Sequence, residues 1–205
     1  MFKVFSYRKG TNYREKGVFS SKPTKFVEIL HGTYTVCMTI LGGAFLYTAI
    51  DYSNVPTEKY SQLAKQLDAL LSGEPNRYAN LSNASALLNQ FFDRINWVGF
   101  YLMDGNDELV LGPFQGLPAC IRIPLGRGVC GSAAAEGKTI LVPDVNQFPG
   151  HIACDAASRS EIVVPLVKDG EVLGVLDIDS PELNRFNEDD QKGLEEVVKI
   201  LIKHL

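Results

Sequence analysis

The stretch Ile162-Val-Val-Pro-Leu-Val-Lys-Asp-Gly-Glu-Val-Leu-Gly-Val-Leu-Asp-Ile-Asp179 decides the fold class. Two apolar, β-branched runs, 162–168 and 172–178, are separated by Asp169-Gly170, the dipeptide that supplies the positive backbone angles of a tight hairpin. Successive side chains of a strand point to opposite faces. Leu173, Val175, Asp177 and Asp179 are therefore expected on one side, with two carboxylates closing the strand. A second hairpin is read upstream, from Trp97-Val-Gly-Phe-Tyr-Leu-Met103 through Asp104-Gly-Asn-Asp107 to 108–111. Short strands are expected over 120–123 and 139–142. Helical spacing of Tyr60, Leu63, Leu67 and Leu71 behind Pro56 predicts a helix that stops before Gly73. Further helices are expected over 78–92, over 129–136 ahead of Gly137, and from an Asn187 cap to the C-terminus. Tight turns join strands that outnumber helices. The expectation is an α+β fold, a central antiparallel sheet flanked by N- and C-terminal helices.

Composition narrows the function. The chain has 205 residues with 45 % hydrophobic and 21 % charged side chains, enough apolar material for a packed core. A net charge of −4 argues against a nucleic-acid binder, and four cysteines are too few for a disulfide-stapled scaffold. The ends differ in character. Residues 1–33 carry seven basic side chains against two acidic ones, and an apolar run of 17 residues follows over 34–50. That run falls short of the roughly 20 residues of a membrane span and contains Gly42-Gly43. Residues 1–55 are thus read as a basic and apolar extension of unassigned role, with a membrane anchor as the alternative, and 56–205 as the globular domain.

Three features could carry chemistry. Cys120, Cys130 and Cys154 sit among small or kink-prone neighbours, and Cys154 falls in the longest loop, where a thiol can meet a substrate. Buried packing is the competing reading for each. A metal site of these cysteines with His151 is disfavoured because no C-x-x-C pair is present. Asp177, Asp179 and Glu161 would gather carboxylates on one sheet face, an arrangement that calls for a cation or a shared proton. Trp97 and Tyr101 share a face of the first strand, as core aromatics or as walls of an apolar, sulfur-bearing ligand site.

The segments Gly112-Pro-Phe-Gln-Gly116, Leu117-Pro-Ala-Cys120, Gly126-Arg-Gly-Val-Cys-Gly131, Phe148-Pro-Gly-His-Ile-Ala-Cys-Asp155, Ser160-Glu-Ile-Val-Val-Pro165 and Gly174-Val-Leu-Asp-Ile-Asp-Ser180 resemble the free methionine-(R)-sulfoxide reductases, stand-alone GAF-domain enzymes. The likeness covers about residues 60–205. It implies thioredoxin-dependent reduction of free methionine-(R)-sulfoxide. In that scheme Cys154 is the nucleophile that becomes a sulfenic acid, Cys120 the resolving thiol and Cys130 its helper. Glu161, Asp177 and Asp179 bind the amino group and sulfoxide oxygen, and Trp97 and Tyr101 contact the methyl-sulfur end. The resemblance further implies no bound cofactor or metal, NADPH acting only through thioredoxin reductase, a cytoplasmic location, and a homodimer as an open option. The rival readings are a non-catalytic GAF sensor of small ligands and a redox-responsive metal-binding protein.

Overall fold

The computed structural model describes residues 51–205 except 106, 153 and 154. The expectations made for residues 1–50 and for Cys154 lie outside the described residues. Helix α1 (Pro56–Leu71) starts with proline at its first turn, where a missing N–H is harmless, and α2 (Arg77–Phe91) is capped by the Asn76 side chain. Strands β1 (Trp97–Asp104), β2 (Glu108–Gly116) and β3 (Arg122–Pro124) follow, then α3 (Gly128–Glu136), which Gly137 ends in the left-handed conformation. Next come β4 (Ile140–Val142), a 3-10 turn (Val145–Gln147), β5 (Ser160–Lys168), β6 (Glu171–Ser180) and α4 (Glu188–Ile202). The expected Asn187 cap opens α4, and Asp190 reciprocates it to complete a capping box.

The strands form one antiparallel sheet in the order β3-β2-β1-β6-β5-β4. The two hairpins thus meet along β1 and β6 at the centre. Each sheet face buries its own core. Leu63, Leu88, Phe100, Ile162, Leu176 and Leu194 belong to the core beneath α1, α2 and α4. Tyr101, Val129, Ala133, Val163 and Val175 belong to the one beneath α3.

Strand alternation breaks at two bulges, one in β2 between Leu111 and Phe114 and one in β6 that alters an expected face. Leu173 was expected beside Val175, yet it packs against the α1/α2/α4 core while Val175 sits in the α3 core. The pairing explains the switch: Leu166 faces Gly174 but Val167 faces Val172, so Leu173 is the extra residue of a bulge. Gly174, at φ +156°, accommodates the bend where an added Cβ would lie 2.2 Å from the Tyr101 carbonyl oxygen. Downstream of the bulge the expected face is kept, and Asp177 and Asp179 point with Val175. Other departures are boundary shifts. The strand expected over 120–123 lies at Arg122–Pro124, which leaves Cys120 in a loop, and β2 runs on to Gly116. Among the described residues no helix is long and apolar enough to cross a membrane.

Candidate active site

Register places the chemistry. Across the α3 face Trp97 pairs with Asp179, which pairs with Glu161, while Gly99 pairs with Asp177. Three adjacent strands therefore deliver three carboxyl groups and an indole to one patch. Gly99 leaves space beside Asp177. A Cβ there would lie 2.3 Å from Phe114 Cβ and 2.8 Å from the Trp97 ring. Trp97 consequently lies flat, stacked on Phe114 at 5.2 Å and on Tyr101 at 5.8 Å between ring centroids.

Above this patch is a pocket enclosing about 520 Å³, its open mouth included. Trp97, Tyr101, Cys130, Glu161, Asp177 and Asp179 all line it. The two aromatics have a further task. Trp97 Nε1 donates to the Leu117 carbonyl at 3.1 Å, and the Tyr101 hydroxyl donates to the Cys120 carbonyl at 3.0 Å. Both rings line the pocket, and their polar ends hold the loop from Leu117 to Cys120 beside it. Cys120 is half-buried and disulfide-bonded, whereas Cys130 is a free, buried thiol on α3.

The electrostatics are those of crowded acids away from water. Asp177, 6 % exposed, is pushed up to about 6 by burial, although contacts with Cys130 and Glu161 pull the other way. Burial, then the Asp177 charge, raises Glu161 and Asp179 well above the usual carboxylate range. Burial and the same acids raise the Cys130 thiol, which lies 4.0 Å from Oε1 of Glu161. Oδ1 of Asp177 is buried without a hydrogen-bond partner. Such a site holds protons ready to donate and favours a cation.

Structure also brings in His151, which the sequence reading weighed only as a disfavoured metal ligand, and Asn96, to which it gave no role. His151 lines the pocket with Nε2 3.8 Å from Oε2 of Glu161, and burial keeps its imidazole neutral near pH 7. Asn96 donates to Asp155 at 2.8 Å and to Ser158 at 3.0 Å, fixing the loop after residue 154 to the start of β1. The only sequence signal for Asn96 was its place before Trp97. Nothing local marked its partners 59 and 62 positions away.

This sheet, with helices on both faces and an acidic pocket beneath α3, is the architecture of a GAF domain, and a family model described as "GAF domain" matches residues 64–201. Protein YtsP of Bacillus subtilis is 58 % identical over 71 % of this chain and 90 % of its own length. Free methionine-R-sulfoxide reductase of Escherichia coli is 53 % identical over 73 % of this chain and 90 % of its own. The X-ray structure of free methionine-R-sulfoxide reductase from Neisseria meningitidis in complex with its substrate superposes with a TM-score of 0.72 at 49 % identity. That match covers 76 % of this chain and 94 % of that one. The chain belongs to the free methionine-R-sulfoxide reductase family.

Proposed function

We propose that the protein reduces free methionine-(R)-sulfoxide to methionine. The observation that carries this reading is that buried Glu161 and Asp177 and half-buried Asp179 line one pocket together with Trp97 and Tyr101. An ammonium group satisfies the excess of buried acid, and the aromatic faces receive the methyl-sulfur end. Arg127 and the first residues of α3 line the same pocket and suit the α-carboxylate.

Cys154 attacks the sulfoxide sulfur. The oxygen passes to the cysteine, so the sulfoxide is reduced to a thioether and the thiol oxidised to a sulfenic acid. Oxide is a poor leaving group until protonated, and the raised pKa values of Glu161, Asp177 and Asp179 keep a proton available for it near neutrality. The Cys120 thiol then attacks the sulfenic acid, expelling water and leaving a disulfide. That Cys120 is disulfide-bonded here supports the resolving role. Cys130 serves as an auxiliary thiol. Thioredoxin restores both thiols by exchange, drawing on NADPH through its own reductase, and the protein itself needs no bound cofactor. The catalytic unit is residues 56–205, acting in the cytoplasm alone or as a homodimer.

The test is NADPH consumption with thioredoxin and thioredoxin reductase on free methionine-(R)-sulfoxide, its S epimer and a peptide-bound form. Turnover of the first alone is expected. Equal turnover of the peptide form would refute the role given to the acids.

A further inference from the structure

Cys130 Sγ, a Glu161 carboxylate oxygen and an Asp177 carboxylate oxygen all lie within 4.8 Å of one another, and all three residues are buried. Ligands of a tetrahedral ion at about 2.0–2.3 Å stand roughly 3.3–3.8 Å apart, so small rotamer adjustments close this set around one ion. His151 borders the set, its Nε2 3.8 Å from the second oxygen of Glu161, and a turn of its side chain would bring in a fourth donor. Independently, Oδ1 of Asp177 is buried and unpartnered inside the pocket. A bare carboxylate oxygen in that position is costly unless a proton or cation meets it.

From this geometry we infer a regulatory binding site for a zinc-class divalent cation, formed in the reduced protein by Cys130, Glu161, Asp177 and His151. One sulfur, one imidazole nitrogen and two carboxylate oxygens are a donor set that selects zinc over magnesium, which prefers oxygen and water. Three anionic ligands outweigh the ion's charge, and the cluster's mutual repulsion is relieved. The metal occupies the place that the substrate ammonium takes in the reading above. The cation is therefore an inhibitor competitive with substrate, a consequence that rests on that reading, whereas the binding itself does not.

Zinc chloride is titrated into the full chain after reduction, against a chromophoric chelator, and cobalt is titrated separately. One zinc bound per chain with a thiolate-to-cobalt charge-transfer band is expected, unchanged by millimolar magnesium. Cys130→Ala removes the charge-transfer band. Asp177→Asn and Glu161→Gln, which leave every thiol in place and keep side-chain shape, each weaken zinc by at least about tenfold. Zinc binding unaltered by Asp177→Asn and Glu161→Gln, displacement by magnesium, or a cobalt band that survives Cys130→Ala would each overturn the site. In the reductase assay zinc raises the apparent KM without lowering kcat. If no methionine sulfoxide were turned over but zinc still bound as described, only the proposed function would fall.

Discussion

Cys130 on α3 and Glu161 on β5, 31 positions apart in the chain, bring a thiol and a carboxylate oxygen to 4.0 Å in one buried pocket. Neither group is easily ionised there, because burial and the neighbouring acids raise both. Cys130 is consequently a protonated thiol at rest, poorly suited to lead the attack and better suited to follow it.

Division of labour among the cysteines can be read from two variants. Cys154→Ser reduces turnover to background. Cys120→Ser keeps one turnover per chain, visible as a burst of methionine under rapid quenching, but loses steady-state recycling by thioredoxin. Full activity of Cys154→Ser would remove the nucleophile assignment.

The acid cluster sets a pH dependence of stability. Asp177 goes from an ordinary value of 3.8 to about 6 on folding. The folded state thus holds its proton more tightly, and that contribution is complete below about 3.8 and lost as pH rises through about 6. A shift of that size corresponds to about 3 kcal/mol, and Glu161 and Asp179 act in the same direction. The D177N variant should therefore gain in Tm relative to the wild type at pH 8 and gain least at pH 4. A gain that is larger in acid contradicts the sign. Activity should describe a bell, because the thiol must lose a proton while the cluster keeps one. A rate that only climbs with pH excludes acid assistance.

On the proposed reading, substrate choice follows from the same carboxylates. Acetylating the amino group of methionine sulfoxide removes the cation that the acids require and leaves buried charge unpaired. A loss of at least about a hundredfold in kcat/KM is expected, from the few kcal/mol attached to an orphaned buried charge. The comparison of free and N-acetylated substrate measures it.

Gly99→Ala tests the slot that holds Trp97. Its added Cβ would lie within 2.8 Å of both the Trp97 ring and Phe114. Overpacking of this kind costs about 1–3 kcal/mol, and the displaced indole should raise KM together with the fall in Tm. A fall in Tm with unchanged KM would detach the indole from substrate binding.

Tyr101→Phe removes the hydroxyl that holds the Cys120 carbonyl at 3.0 Å while leaving the ring wall. Disulfide formation should slow more than the first reduction of substrate. Single-turnover kinetics, following methionine release and thiol loss separately, distinguishes the two.

Much of this was legible before folding was considered. Tight-turn dipeptides and period-two runs announced the hairpins. Alternation placed Trp97 with Tyr101 and Asp177 with Asp179, since which face a strand residue takes depends only on its immediate neighbours. The Leu173 face was misread for an equally local reason in reverse: a bulge shows only in the pairing of β6 with β5, and the isolated strand carries no mark of it except Gly174.

The amino-acid sequence by itself determined the elements, their inward faces and the residue types available for chemistry, because propensity and periodicity act over a few neighbouring positions. Tertiary structure alone decided that Trp97, Asp179 and Glu161 stand in one row across β1, β6 and β5, with Cys130 and His151 against them. It also decided that the indole and phenol would hold the Cys120 loop. These adjacencies come from strand register and helix packing between segments distant in the chain, and the raised pKa values follow from the burial that such packing imposes.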